Sequence, residues 1–382
     1  MSRNLFLFST ALTFAGSAAF AAGLERAIPS VAPLFEDGRY LEFSFSYVDP
    51  TLTGEGGFVP PDFDPGMVGF GITGSTGDLL DAYAQFGAAY KADINEQLSY
   101  AFLLNEPYGA NTTYPVASAG PPDVTAVYNG SAADLESYAL TALLAYDVNE
   151  RVKVYGGPIL QSVSPSASIL FPAIGYSVEA ETDYGLGFTF GAAYSIPDIA
   201  LRVGLTYRSE IEHELDTIEN SATLLGGPNE TQTNFETPDS LTLDFQTGIA
   251  ENTLLFGQAH WVDWSEFAIA PPNYIQIFNG RPLVSYADDW VTYTLGVGRR
   301  FTDEWSGAVS VLWEPQNDIE LTSLGPVDGR VGLNLGATYE TETMKISGGI
   351  NYTRLGNARN VLNTDFDDGD AFGIGFRIGF KL

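Results

Sequence analysis

The chain has no cysteine, only 17 Lys+Arg, two histidines and three methionines in 382 residues. Without cysteine there are no disulfides and no thiolate metal sites. The basic residues face 48 Asp+Glu, a net charge of −31. Such a surface repels nucleic acid, which excludes that partner. The mature part also lacks an apolar run long enough for a spanning helix. It is not disordered either, because 45% of its residues are hydrophobic, whereas disordered chains are poor in apolar residues.

Met1 to Ala21 has the pattern of a secretory signal. Arg3 gives the positive start, Leu5 to Phe14 is mostly apolar, and Ala19-Phe20-Ala21 fits the small-x-small cleavage rule. Removing it takes away one base and leaves 16 Lys+Arg against 48 Asp+Glu, a net charge of −32. The mature chain is expected to start near Ala22, with a short hatch segment over 22–39 and the remaining domain over 40–382.

The dominant signal is period-two alternation. In the last segment Phe372, Ile374, Phe376, Ile378, Phe380 and Leu382 share one face, with Gly373, Gly375, Arg377, Gly379 and Lys381 opposite. The same alternation places Leu41, Phe43, Phe45 and Tyr47 against Glu42, Ser44 and Ser46. It recurs over 183–194, 331–339 and 344–352. One apolar face and one small or polar face, repeated along a chain without spanning helices, predicts an all-β transmembrane antiparallel barrel of about 14 strands. The acidic residues then belong in loops and lumen, since a charge facing lipid costs up to several kcal/mol. Tyr47, Tyr90, Tyr146, Tyr194, Trp305 and Tyr339, at strand ends, suit interfacial aromatic girdles.

Tight turns are predicted at 93–96, 149–150, 197–198, 251–252, 302–304 and 341–342. Longer stretches lie near 49–79, 107–132, 169–180, 216–237, 268–287, 319–328 and 357–369. Short periplasmic turns and long outer loops are the asymmetry of outer-membrane barrels.

The order of several motifs resembles the FadL family of outer-membrane long-chain fatty-acid transporters. Tyr47-Val48-Asp49-Pro50, Asn105-Glu106-Pro107-Tyr108-Gly109-Ala110 and Leu205-Thr206-Tyr207-Arg208-Ser209-Glu210 are similar to its segments at corresponding places. Thr237-Pro238-Asp239-Ser240, followed by Trp261-Val262-Asp263-Trp264-Ser265-Glu266-Phe267, is the most specific pair. The resemblance spans nearly the whole mature chain. It implies a fourteen-stranded, hatch-plugged barrel for passive uptake of long-chain fatty acids or similar hydrophobic compounds, with a wall opening at a kinked third strand. Members carry a longer hatch with an Asn-Pro-Ala motif. Here the nearest match is Val31-Ala32-Pro33-Leu34-Phe35, so the gate is smaller or differs.

The resemblance also implies a capture groove between the third and fourth outer loops. Ile169, Leu170, Phe171, Ile174 and Tyr176 form an apolar run in the first of these, and Leu224, Leu225 and Phe235 lie in the second. An exposed apolar patch marks an interaction site; packing of the loops into a lid is the other reading. An acyl chain gains about 0.8 kcal/mol per buried methylene, but its carboxylate needs a partner. Arg208, Arg377 and Lys345 point inward by alternation and are the head-group candidates. Arg208 is favoured by its motif and its outer position; the other reading is a lumen salt bridge with Glu210, Glu212 or another inward acid. Pro107 cannot donate a ladder hydrogen bond, so the strand ends, bulges or breaks at Pro107, Tyr108 and Gly109.

No enzyme site is expected. His213 and His260 lie far apart in sequence and neither sits beside a plausible nucleophile. Asp365, Asp367, Asp368 and Asp370 lack a full calcium-loop signature, so no metal or cofactor is expected and a solvated or lipopolysaccharide-bridging loop fits better. The expected partners are hydrophobic small molecules, outer-membrane lipid and lipopolysaccharide, with the chain acting as a monomer. A general diffusion porin for small polar solutes, made credible by the short hatch, is the alternative; a structural or adhesive barrel is a third.

Overall fold

The computed structural model describes residues 23–59, 70–116, 128–170, 175–317 and 320–382. The proposed signal segment lies outside the described residues. The strands, in chain order, begin with β1 (Tyr40–Val59), β2 (Phe70–Asp78), β3 (Tyr83–Asp93), β4 (Leu98–Asn105), β5 (Gly109–Thr113), β6 (Ala132–Asn149), β7 (Val152–Ile169) and β8 (Tyr176–Ala180). They continue with β9 (Asp183–Ile196), β10 (Leu201–Arg208), β11 (Ile211–Ser221), β12 (Gly227–Thr237), β13 (Ser240–Ala250), β14 (Thr253–Val262), β15 (Ala268–Ile269) and β16 (Val284–Ser285). Last come β17 (Trp290–Arg300), β18 (Trp305–Glu314), β19 (Glu320–Leu321), β20 (Arg330–Glu340), β21 (Met344–Leu355), β22 (Ala358–Asn360) and β23 (Asp365–Lys381). A short helix, α1 (Pro272–Ile277), stands between β15 and β16.

Fourteen antiparallel wall strands close a barrel: β1, β3, β4 continued by β5, β6, β7, β9, β10, β13, β14, β17, β18, β20, β21 and β23. Closure is the pairing of β1 with β23, from Tyr40↔Lys381 to Glu55↔Asp365. A closed barrel leaves no strand edge in lipid, where an unpaired peptide group costs several kcal/mol.

Alternation assigns the two faces as expected. Phe43, Tyr184, Leu186, Phe188, Val331, Leu333, Ile350 and Ile374 point outward, with Leu186 75% exposed. Their neighbours Glu42, Thr189, Asn334, Asn351 and Lys345 are buried in the lumen. All six predicted tight turns occur between wall strands.

The opposite end differs from a set of plain loops. β1, β6, β7 and β23, of 17 to 20 residues, run beyond the length a bilayer needs, and β2, β5, β8, β11 and β12 extend the pairing outward. In 211–221 the alternation continues, with Ile211, His213, Leu215 and Thr217 buried and Glu212, Glu214 and Asp216 exposed. Above the membrane the inner faces of these extensions meet each other rather than water. They form one apolar cluster that includes Tyr108, Leu135, Tyr176, Leu215, Phe235, Trp264, Tyr274 and Trp290.

Residues 23–39 run through the lumen. Leu34 is fully buried against Ala89, Ala101, Leu143, Tyr155 and Ala193, all on inward wall positions. Phe35 packs edge-on to Tyr155 and under the Arg202 guanidinium, 4.3 Å from its ring centroid. Two buried side-chain contacts hold the same segment, Glu25 Oε1 to His260 Nε2 at 3.0 Å and the ion pair of Glu36 with Lys345 at 2.9 Å.

Candidate functional site

Three features lie close together: an apolar cavity among the loops, a larger cavity of mixed lining in the lumen, and a break in the wall.

The loop cavity, counted together with the open solvent at its mouth, spans about 600 Å³. β6 and β7 contribute Leu135 and Ala167, β8 Val178, β11 Leu215, and the loop around α1 Ile269 and Val284. Leu24 of the lumen segment also lines it. The inward face of β11 makes this wall apolar at Leu215, next to Thr217.

Glu219 fixes the loops around the cavity. Its buried carboxylate accepts hydrogen bonds from Tyr176 Oη (2.7 Å), Thr231 Oγ1 (2.7 Å) and the amides of Asn273 (3.0 Å) and Tyr274 (2.9 Å) at the start of α1. One buried charge thereby joins three outer segments, which a neutral side chain does less strongly. His213 is buried beneath the same hairpin, with Nδ1 2.8 Å from Asp183 and its ring stacked on Phe235. Burial lowers the His213 pKa from its usual value, against the opposing pull of Asp183.

The lumen cavity, which opens to solvent, spans about 1530 Å³ with that open space included. Arg208, Arg377, Glu42, Asn334 and Asn351 line it, together with Ala27 to Val31 of the lumen segment. The head-group candidates differ in occupancy. Lys345 is paired with Glu36, and Arg377 Nε lies 3.1 Å from Glu42. Arg208, 6% exposed, keeps one buried guanidinium nitrogen, Nη2, with no hydrogen-bond partner among the described residues. Among the described residues Arg208 forms no ion pair with Glu210 or Glu212; the acid whose charge reaches it is the inward Glu25.

The wall break lies at Pro107. β3 pairs with β4 from Ala88↔Leu104 to Asp93↔Ser99 and no further. Pairing resumes above it, where the Thr113 amide donates to the Leu79 carbonyl and the Asp81 amide to the Asn111 carbonyl. Between these points β3 faces the Glu106-Pro107 corner across a gap in the ladder. Gln85, Phe86, Leu104, Asn105 and Glu106, on the two sides of this gap, line the lumen cavity, so the gap stands directly over it.

The lumen segment is pinned to the same corner. Its Arg26 amide donates to the Pro107 carbonyl (2.8 Å), and the Gly109 amide to Leu24 (2.8 Å). Ser137 bridges both backbone groups of Tyr108. Tyr108 meets Trp264 edge-on at 6.0 Å and donates to the Pro238 carbonyl at 3.4 Å. The two sequence motifs 237–240 and 261–267 therefore converge on the kink, where the Asp263 amide also donates to Asp239.

The loop candidates are scattered. Tyr176 and Phe235 are buried in the loop cluster, and Ile169 packs on its edge. Leu170 is exposed, while Leu224 and Leu225 sit at the tip of the β11–β12 hairpin. Phe171 and Ile174 lie outside the described residues. None of the described ones lines the loop cavity. Leu24, Val178, Leu215, Ile269 and Val284 do, and the alternation in 211–217 was the signal that could have found Leu215.

Comparison with known proteins follows this geometry. The family model described as outer membrane protein transport protein (OMPP1/FadL/TodX) matches residues 9–371. The chain belongs to this family. It is thus an outer-membrane barrel of the Gram-negative type, in a family of transporters for hydrophobic compounds. No curated protein matches the sequence. Among solved structures, a FadL homologue of Pseudomonas aeruginosa is 17% identical, with 91% of each chain covered and a TM-score of 0.72. The toluene transporter TodX of Pseudomonas putida is 13% identical, covering 91% of this chain and 90% of that one, with a TM-score of 0.61. The toluene transporter TbuX of Ralstonia pickettii is 12% identical, with the same coverage and a TM-score of 0.59. These likenesses concern the fold.

Proposed function

We propose that this protein takes up long-chain fatty acids or similar hydrophobic compounds passively, and that they leave it sideways through the wall. Cargo enters the apolar loop cavity, passes Leu24 as residues 22–39 shift as a hatch, and reaches the lumen. It then leaves between β3 and the Glu106-Pro107 corner into the membrane. The observation that carries this reading is that the β3–β4 ladder stops at Ala88↔Leu104, and the residues bordering that gap, Gln85, Phe86 and Glu106, line the same cavity as Arg208. A through-pore for polar solutes has no need of such a side opening.

The unpartnered Nη2 of Arg208 supports a carboxylate cargo, because a buried guanidinium donor left unpaired is costly. Arg377 and Lys345, already paired, serve the wall and the hatch. Tyr176 and Phe235 act from behind the cavity as supports.

Uptake of radiolabelled oleate by a deletion strain carrying the protein tests the proposal. Leu215→Asp places a charge in the loop cavity and is expected to cut uptake at least about tenfold, since an unpaired buried charge costs several kcal/mol. The folded barrel is verified by its heat-modifiable gel mobility. Full uptake by the folded variant contradicts entry through this cavity.

A further inference from the structure

The wall break raises a difficulty that its own residues resolve. Within hydrocarbon every peptide group must find a partner inside the protein. Ladder pairing of β3 with β4 stops at Ala88, so the amide of Phe86 has no strand opposite it. Phe86 is 65% exposed on the lipid side, and on the inner side it lines the lumen cavity, so its amide sits in the wall between the two.

Glu106 supplies both links across the gap. Its carboxylate Oε1 accepts the Phe86 amide hydrogen at 3.1 Å, and its backbone carbonyl accepts Gln85 Nε2 at 3.1 Å. The first of these is a side-chain bond standing in a ladder position. A backbone rung is held by the strands on both sides, whereas this one is released by rotation of one side chain. Pro107, with no amide hydrogen, prevents the ordinary ladder from forming in its place.

We propose that Glu106 is the latch of the lateral opening: its carboxylate closes the gap against Phe86 at rest and swings aside when cargo passes. This rests on the sideways route proposed above. It adds a positioning residue that sets how readily the wall opens, and requires only that the side chain accept a hydrogen bond. A neutral acceptor of the same length should therefore serve as well as the charge.

Hydrogen–deuterium exchange at the Phe86 amide, together with oleate uptake, tests this in the full-length protein. Glu106→Ala is expected to speed Phe86 exchange by about tenfold or more and to raise uptake, with affinity for oleate unchanged. Glu106→Gln, which keeps the acceptor, is expected to behave as wild type in both. Glu136→Gln, a neighbouring carboxylate across β5, is expected to change neither. Unchanged Phe86 exchange in folded Glu106→Ala overturns the latch and leaves the route standing. Faster exchange with unchanged uptake overturns the sideways route. A Glu106→Gln variant as altered as Glu106→Ala also overturns the latch, because charge and not hydrogen bonding would then be at work.

Discussion

The buried carboxylate of Glu219 accepts the amide hydrogen of Tyr274 at 2.9 Å, tying the β11–β12 hairpin to the loop that carries α1. Because Tyr176 and Thr231 donate to the same carboxylate, its removal leaves several buried donors unpaired together. Glu219→Ala is expected to loosen the outer loops by about 2–3 kcal/mol, the cost of unsatisfied buried polar groups. Limited proteolysis should then cut the loops while the wall strands stay protected; protected loops would show that Glu219 does not hold them.

The free guanidinium nitrogen of Arg208 yields a prediction about cargo charge. Arg208→Met is expected to weaken binding of a long-chain carboxylate about tenfold or more, in line with the roughly 1.5–3 kcal/mol of a hydrogen bond to a charged group. Binding of the corresponding methyl ester should be unaffected. Isothermal titration in detergent measures both, and equal losses for acid and ester would rule out a head-group role.

Occupation of the lumen by residues 23–39 bears on conductance. In planar bilayers the intact protein is expected to be nearly silent. Lys345→Met breaks the buried pair with Glu36, and removing one partner of such a pair costs about 3–5 kcal/mol. Brief openings are then expected, selective for cations because of the acidic lumen and loops. Steady conductance from the unmodified protein would favour the diffusion porin.

His213 predicts a response of the outer hairpin to acid. Its folded pKa is held below the unfolded value by burial, so the unfolded chain binds the proton more readily. Stability from neutral His213 is full above the unfolded pKa, about 6.5, and is lost as pH falls below it. Protection of the β11 amides, taken relative to the intrinsic exchange rate at each pH, should fall between pH 7.5 and 5, and His213→Gln should remove most of that change. A pH response identical in the variant would assign it to another group.

Most of the barrel was legible in the sequence, because a wall between lipid and lumen imposes strict alternation on every strand. Leu41 to Tyr47 and Phe372 to Leu382 were assigned to their faces from that pattern, and they pair with each other to close the barrel. The turns were legible because Asn149 and Asn252 stand between alternating runs, at bends where Asn252 adopts a positive φ. The site was less legible. The cavity is built from single residues of several loops, such as Val178, Leu215, Ile269 and Val284, whose meeting depends on contacts like Glu219 with α1. An apolar run in one loop, as at 169–176, marks burial but not what it buries against. Pro107 announced a break, while the partner that fills it, Glu106, is visible only once β3 is seen opposite.

The most direct test of the account is a crystal structure with a long-chain acid carrying a terminal bromine, located by anomalous scattering. Bromine is expected in the loop cavity beside Val178 and Leu215, or beside Phe86 at the wall break, with a carboxylate near Arg208 Nη2 for molecules in the lumen. Bromine found only along the outer hydrocarbon belt, with both cavities filled by water alone, would contradict it.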